Sequence, residues 1–270
     1  MPDSQVHAQH RRGPSAAPPR GLTETVRTDW GDLGAATGSP ASFELAATAG
    51  LPDPIRRWLA HAIAPGTLLL TSAELTTHGF IKLGPWRTYA AVQRLSPARG
   101  FVWTATTSMG GLPVTGFDRY TRRGGQMRWR LLGRIPVNSA ESDDITRSAA
   151  ARLAGELLIA APAAALSKRV TWQPVDADRA TARIRVDAGF HEVTLTVAAD
   201  GALTSMVMPR WGAEADGSFA ARVFGAEFSD EVTFSGFTVP RTVVAGWDQG
   251  TDGWEDGQFI RYTVDDGHYR

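Results

Sequence analysis

From about Leu68 onward, apolar and polar residues alternate in short runs, and turn residues separate one run from the next. Alternation puts every second side chain on one face, so each run predicts a half-buried strand. In the first half the predicted strands are Leu68 to Thr77, Trp86 to Arg94, Phe101 to Thr107, Val114 to Thr121 and Met127 to Leu132. Leu83-Gly84-Pro85, Ser96-Pro97, Met109-Gly110-Gly111 and Arg123-Gly124-Gly125 fall between them, the punctuation of consecutive hairpins. His78-Gly79 predicts a bulge or bend within the first arm. A second run covers Trp172 to Val175, Ala182 to Asp187, Val193 to Ala199 and Leu203 to Met208, with Asp200-Gly201 as a hairpin turn. Arg222 to Phe228, Glu231 to Phe234, Thr242 to Trp247 and Gln258 to Val264 close the series.

One helix interrupts the strands clearly. Asp143 or Asp144 caps it, Ile145, Ala149, Leu153, Leu157 and Ala160 form its apolar stripe, and it stops near Pro162. Upstream, Asp53 and Pro54 start a shorter helix whose stripe is Ile55, Trp58, Leu59 and Ala62, and Pro65-Gly66 ends it. That stripe predicts a helix docked on one end of the sheet. The pattern as a whole predicts a mainly β chain with one central helix (α+β), a strongly curved antiparallel sheet or half-barrel closed by that helix. Residues 1–41, with Pro14, Pro18, Pro19, Gly31, Gly34, Gly38 and Pro40, lack periodicity and predict a flexible lead-in. An edge strand over Leu22 to Trp30 is the alternative there. Residues 42–270 are expected to form a single domain.

Composition narrows the function. At 270 residues and 43% hydrophobic, the chain can bury a full core. Lys plus Arg and Asp plus Glu both number 28, so no basic excess points to nucleic acid, which is not expected as a partner. The absence of cysteine removes disulfides, thiolate nucleophiles and sulfur ligands. No run approaches the roughly 18 apolar residues of a membrane span, so no integral membrane association is expected. The N-terminal residues show no signal-peptide core, and a cytoplasmic location is expected. The six histidines have no metal-ligand spacing, and Asp248, Asp252, Glu255 and Asp256 read as a solvated loop, so no metal is expected. Nucleotide-binding glycine motifs and the G-x-S-x-G elbow are missing, which predicts a cofactor-free protein.

A resemblance adds to this reading. Leu51-Pro-Asp-Pro-Ile-Arg-Arg-Trp-Leu, Phe101-Val-Trp-Thr-Ala, Phe117-Asp-Arg-Tyr, Leu132-Gly-Arg-Ile-Pro-Val and Arg152-Leu-Ala-Gly-Glu-Leu resemble an uncharacterised bacterial family, a domain of unknown function. Val207-Met-Pro-Arg-Trp, and Phe228 followed by Gly236-Phe-Thr-Val-Pro-Arg, extend it to the C-terminal part. The family implies no known reaction. The Gly-Phe-Thr-Val-Pro turn is also similar to the half-barrel sheets of bacterial lipoprotein carriers, which implies a concave sheet able to hold acyl chains. The export signal and lipidation cysteine of such proteins are not seen in this sequence.

Four polar residues are candidates for chemistry. Arg152 and Glu156 lie four apart on the central helix, where a buried carboxylate beside an arginine could act as a base; on a solvated face the pair would be an ordinary ion pair. Asp118 and Tyr120 share one strand face and could orient or deprotonate a polar ligand; if that face meets solvent, Arg119 points inward instead. Trp86, Trp103 and Trp129 lie on three strand-like segments and could form an aromatic floor for a ligand, or simply fill the core. The expected partner is a small hydrophobic molecule. Two functions fit: binding of an apolar molecule or acyl chain in the concave face, and a cofactor-independent cyclase or isomerase acting on a hydrophobic metabolite in the same cavity.

Overall fold

A computed structural model of the chain describes residues 17–35, 41–214 and 216–270. Among the described residues, thirteen antiparallel strands form one sheet. The first six are β1 (Ala73–Lys82), β2 (Trp86–Ser96), β3 (Gly100–Met109), β4 (Leu112–Thr121), β5 (Gly124–Leu131) and β6 (Ile135–Ala140). The rest are β7 (Val170–Pro174), β8 (Arg179–Val186), β9 (Gly189–Val197), β10 (Leu203–Ala213), β11 (Phe219–Phe234), β12 (Phe237–Trp247) and β13 (Gln258–Tyr269). Their order, β6-β5-β4-β3-β2-β1-β13-β12-β11-β10-β9-β8-β7, is two meanders joined where β1 pairs with β13.

Among the described residues the α-helices are α1 (Glu24–Leu33), α2 (Asp53–Ala62), α3 (Asp143–Ala160) and the single turn α4 (Trp254–Gly257). Ser142 caps α3 by accepting the Ile145 amide at 3.2 Å, one residue before the expected aspartates, which instead sit in the first turn. This helix links the two edge strands β6 and β7, and it packs against strands of both meanders. Arg152 on α3 bonds Asp118 of β4 at 3.0 Å, while Gly155, less than one turn away, lies against Met206 and Met208 of β10. In the sheet β4 and β10 are seven steps apart, which in a flat sheet is about 34 Å. Contact of both with one helical turn requires the sheet to curl, and it does so as a half-barrel.

Three departures from the sequence pattern have physical reasons. β6 has no predicted counterpart, because its Ile135-Pro136-Val137 run is an exposed edge without alternation. Two predicted strands merge into the 16-residue β11, which passes Asp230 at φ 52 without breaking its pairing to β12. In β1 the register break falls at Thr76/Thr77 rather than at His78-Gly79; Gly79 is needed because a Cβ there would lie 2.0 Å from the Arg261 carbonyl oxygen.

The expectation of one central helix is too simple. α2 docks as its stripe predicts, burying Ile55, Trp58, Leu59 and Ala62 against β8, β9 and β12. The alternative of a strand over Leu22 to Trp30 is corrected to α1, capped by Thr23, whose hydroxyl accepts from the Val26 amide at 3.3 Å. Val26, Trp30 and Leu33 follow helical spacing and pack on the outer face of the sheet against Val102 and Phe117. So this part of the lead-in has a core of its own; the flexibility expected for 1–16 and 36–40 falls outside the described residues.

Candidate functional site

The concave face holds a cavity of about 250 Å³ between α3 and strands of both meanders. Strand parity selects what lines it. Tyr89 and Gln93 of β2, Trp103 of β3, Asp118 of β4 and Met127 and Trp129 of β5 point inward from one side. Met206, Met208 and Arg210 of β10, Phe224 of β11 and Tyr262 of β13 face them from the other. Arg152, Glu156 and Ile159 come from α3.

Tyr89, Trp103 and Trp129 form a continuous aromatic row, each neighbouring pair of rings 5.9 Å apart in tilted or edge-on contact. Trp129 lies where Gly116 of the neighbouring strand leaves room; a Cβ at 116 would come within 2.2 Å of the indole. The expected third member of this floor, Trp86, is not there. It sits an odd number of residues from Tyr89, so alternation turns it to the outer face, where it is partly exposed beneath Arg261 at 4.8 Å. Tyr89 takes its place.

At the polar end, Arg152 donates from Nε to Glu156 at 2.7 Å and from Nη1 to Asp118 at 3.0 Å. Its guanidinium also stands over Phe101 at 4.7 Å and Trp103 at 5.4 Å. Gln93 donates its amide to the second oxygen of Glu156. Asp118, Arg152 and Glu156 retain 29, 15 and 24% of their side-chain exposure, and the cavity is what they line. Burial holds the Asp118 carboxyl above the ordinary carboxylate range, against the opposing pull of Arg152 and Arg210. For Arg152, burial works against the cation, and the carboxylates Glu156 and Asp118 outweigh it, so its pKa stands above the usual arginine value. Burial also raises the Tyr89 and Tyr262 phenols. The Asp118 Oδ1 atom, shielded from solvent, has no hydrogen-bond partner among the described residues.

Tyr120 shares the inward face with Asp118 but does not line the cavity. Its hydroxyl donates to Asp187, which ties β4 to the β8–β9 turn, so it is a strut between the meanders. Arg119 points to the outer face and pairs with Asp29 of α1 at 3.2 Å. Sequence reasoning missed Arg210, whose guanidinium lies over Phe224 at 4.6 Å and which burial and repulsion from Arg152 push down to about 10. The alternation Met206, Met208, Arg210 in one strand is the signal that places it inward. Gln93 is found the same way, by its parity with Tyr89.

A model of a family of unknown function, DUF6544, matches residues 41–259. The chain belongs to that family. No curated protein matches it. Among solved structures it is similar to a putative outer membrane lipoprotein-sorting protein domain from Vibrio parahaemolyticus, with 7% identity, a TM-score of 0.34 and coverage of 84% of this chain and 92% of that one. It is also similar to a LolA-superfamily protein from Nitrosomonas europaea, with 8% identity, a TM-score of 0.33 and coverage of 74% and 85%. Among the described residues no helix is long and apolar enough to cross a membrane.

Proposed function

We propose that this protein binds a small apolar molecule or a single acyl chain in the concave face of its sheet, with α3 closing that face. The observation that carries the reading is the unfilled cavity beside the row Tyr89, Trp103 and Trp129, opposite Met206, Met208 and Phe224. A scaffold with no ligand gains from filling such a space, because interiors pack to the density of organic crystals. Aromatic and methionine walls with a few convergent polar groups are what a small-molecule site offers. Titration with a library of apolar ligands is expected to quench tryptophan fluorescence saturably. Trp103→Leu should lose most of that quench while still unfolding cooperatively. Absence of saturable quenching across the library would remove the reading.

A cofactor-independent cyclase or isomerase is the second reading. It is favoured by Asp118, a desolvated carboxyl that faces the cavity with one oxygen free, the property required of a general acid or base. Turnover of a bound ligand that Asp118→Asn abolishes, with binding retained, would select it over simple binding.

A further inference from the structure

The polar groups of the cavity are unequally satisfied. Arg152 has two carboxylate partners, and Glu156 has both Arg152 and Gln93. Arg210 has neither a hydrogen bond nor an ion pair among the described residues, and its Nε is shielded from solvent. Phe224 and Trp247 lie beneath the guanidinium at 4.6 and 5.6 Å. Stacking uses the flat side of the group and leaves its N–H edge open to an acceptor. Arg210 is half-buried, and Asp118 and Glu156 attract it without bonding to it, so an acceptor that this chain does not supply is expected at its open edge.

Granted the binding role proposed above, we infer that the ligand is a single-chain amphiphile with an anionic, carboxylate-type head, and that Arg210 receives the head. The chain then lies along Tyr89, Trp103 and Trp129. A cavity of about 250 Å³ lies just below the usual range for small-molecule sites, which suits one chain rather than two. The added negative charge also has an answer. Asp118 keeps one oxygen free, and burial already favours its protonated form, so a proton taken from solvent keeps the cavity neutral.

Calorimetric titration of the full chain near neutral pH with decanoate, 1-decanol and decylamine tests this, because only the head differs. Decanoate is expected to bind at least about tenfold more tightly than decanol, the scale of a charge-assisted hydrogen bond, with decylamine weakest. Arg210→Gln should bring decanoate to the level of decanol, and cooperative denaturant unfolding of the variant reports that it folds. Decanol binding as tightly as decanoate, decylamine binding more tightly than either, or a preference for decanoate that survives Arg210→Gln overturns the inference while the apolar pocket stands. No binding of any of the three, by heat or by tryptophan quenching, removes the inference and the binding role together.

Discussion

Asp118 is caught between two effects of similar kind. Burial penalises its charge, Arg152 and Arg210 reward it, and burial wins. The linkage sign follows directly. A carboxyl whose folded-state pKa lies above its unfolded value stabilises the fold most when protonated, and that contribution is lost as pH rises through the folded-state pKa. Asp118→Asn keeps the shape and cannot ionise. Its stability relative to the parent, measured by denaturant unfolding, should therefore improve on going from about pH 4 to about pH 8. A decline over that range would mean that the Arg152 contact outweighs desolvation. The same residue shows what sequence can say at this scale. Asp118, Arg152, Glu156, Trp103 and Trp129 meet at one cavity because each lies on a face that alternation or helical spacing defines. Parity relative to one known inward residue also separates Trp86 from Tyr89. What no local pattern supplies is which parity is inward, because that depends on the partner packed against each face.

Among the elements, α1 carries more than the Pro- and Gly-rich composition around it suggests. Its three buried apolar residues cover Val102 and Phe117 on the outer face of the sheet, and the buried Asp29 meets the buried Arg119. Trp30 is 2% exposed, its carbonyl oxygen accepts from Arg94 at 2.9 Å, and its ring lies under the same guanidinium at 4.4 Å. Trp30→Ala is expected to cost about 3–5 kcal/mol in denaturant unfolding, the usual loss for truncating a buried aromatic. A loss under about 1 kcal/mol would mean that α1 contributes little and that the lead-in is dispensable. The stripe was readable in the sequence, since Val26, Trp30 and Leu33 are spaced four and three apart. Gly31 and Gly34 hid it: Gly31 is unfavourable within a helix, whereas Gly34 acts as the terminal cap. α3 formed where its stripe places it. Gly155 is a poor helix former, and a Cβ there would come 3.0 Å from the Met206 methyl carbon, so a larger residue would push that side chain of β10 aside.

Over the whole molecule, the step hardest to read in advance is the pairing of β1 with β13. It joins the first and last strands along the chain at the centre of the sheet and leaves no local mark, whereas each hairpin announces itself through its turn. That closure also sets out the charge. Residues 86–140 contain nine arginines and a single acid, Asp118, which faces the cavity. Residues 214–270 contain eleven acids and four arginines. Since β2 to β6 are neighbours on one side of the β1–β13 seam and β11 to β13 lie on the other, the neutral total averages over two opposed halves. Asp29 meets Arg119 and Arg123, and Glu74 meets Arg94, but Arg128, Arg130 and Arg134 form no ion pair among the described residues. A surface polarised in this way interacts locally with a charged support whatever its net charge. Near the sequence pI of ≈ 7.0, the protein is expected to be retained on a cation exchanger at low salt. Elution should come at about 0.1 M salt, where the screening length falls to about 10 Å. Replacing Arg128, Arg130 and Arg134 together by Glu should abolish retention, since these exposed and half-exposed side chains lie on one hairpin. Passage of the unaltered protein straight through the column would show that the two halves cancel at the distance of the support.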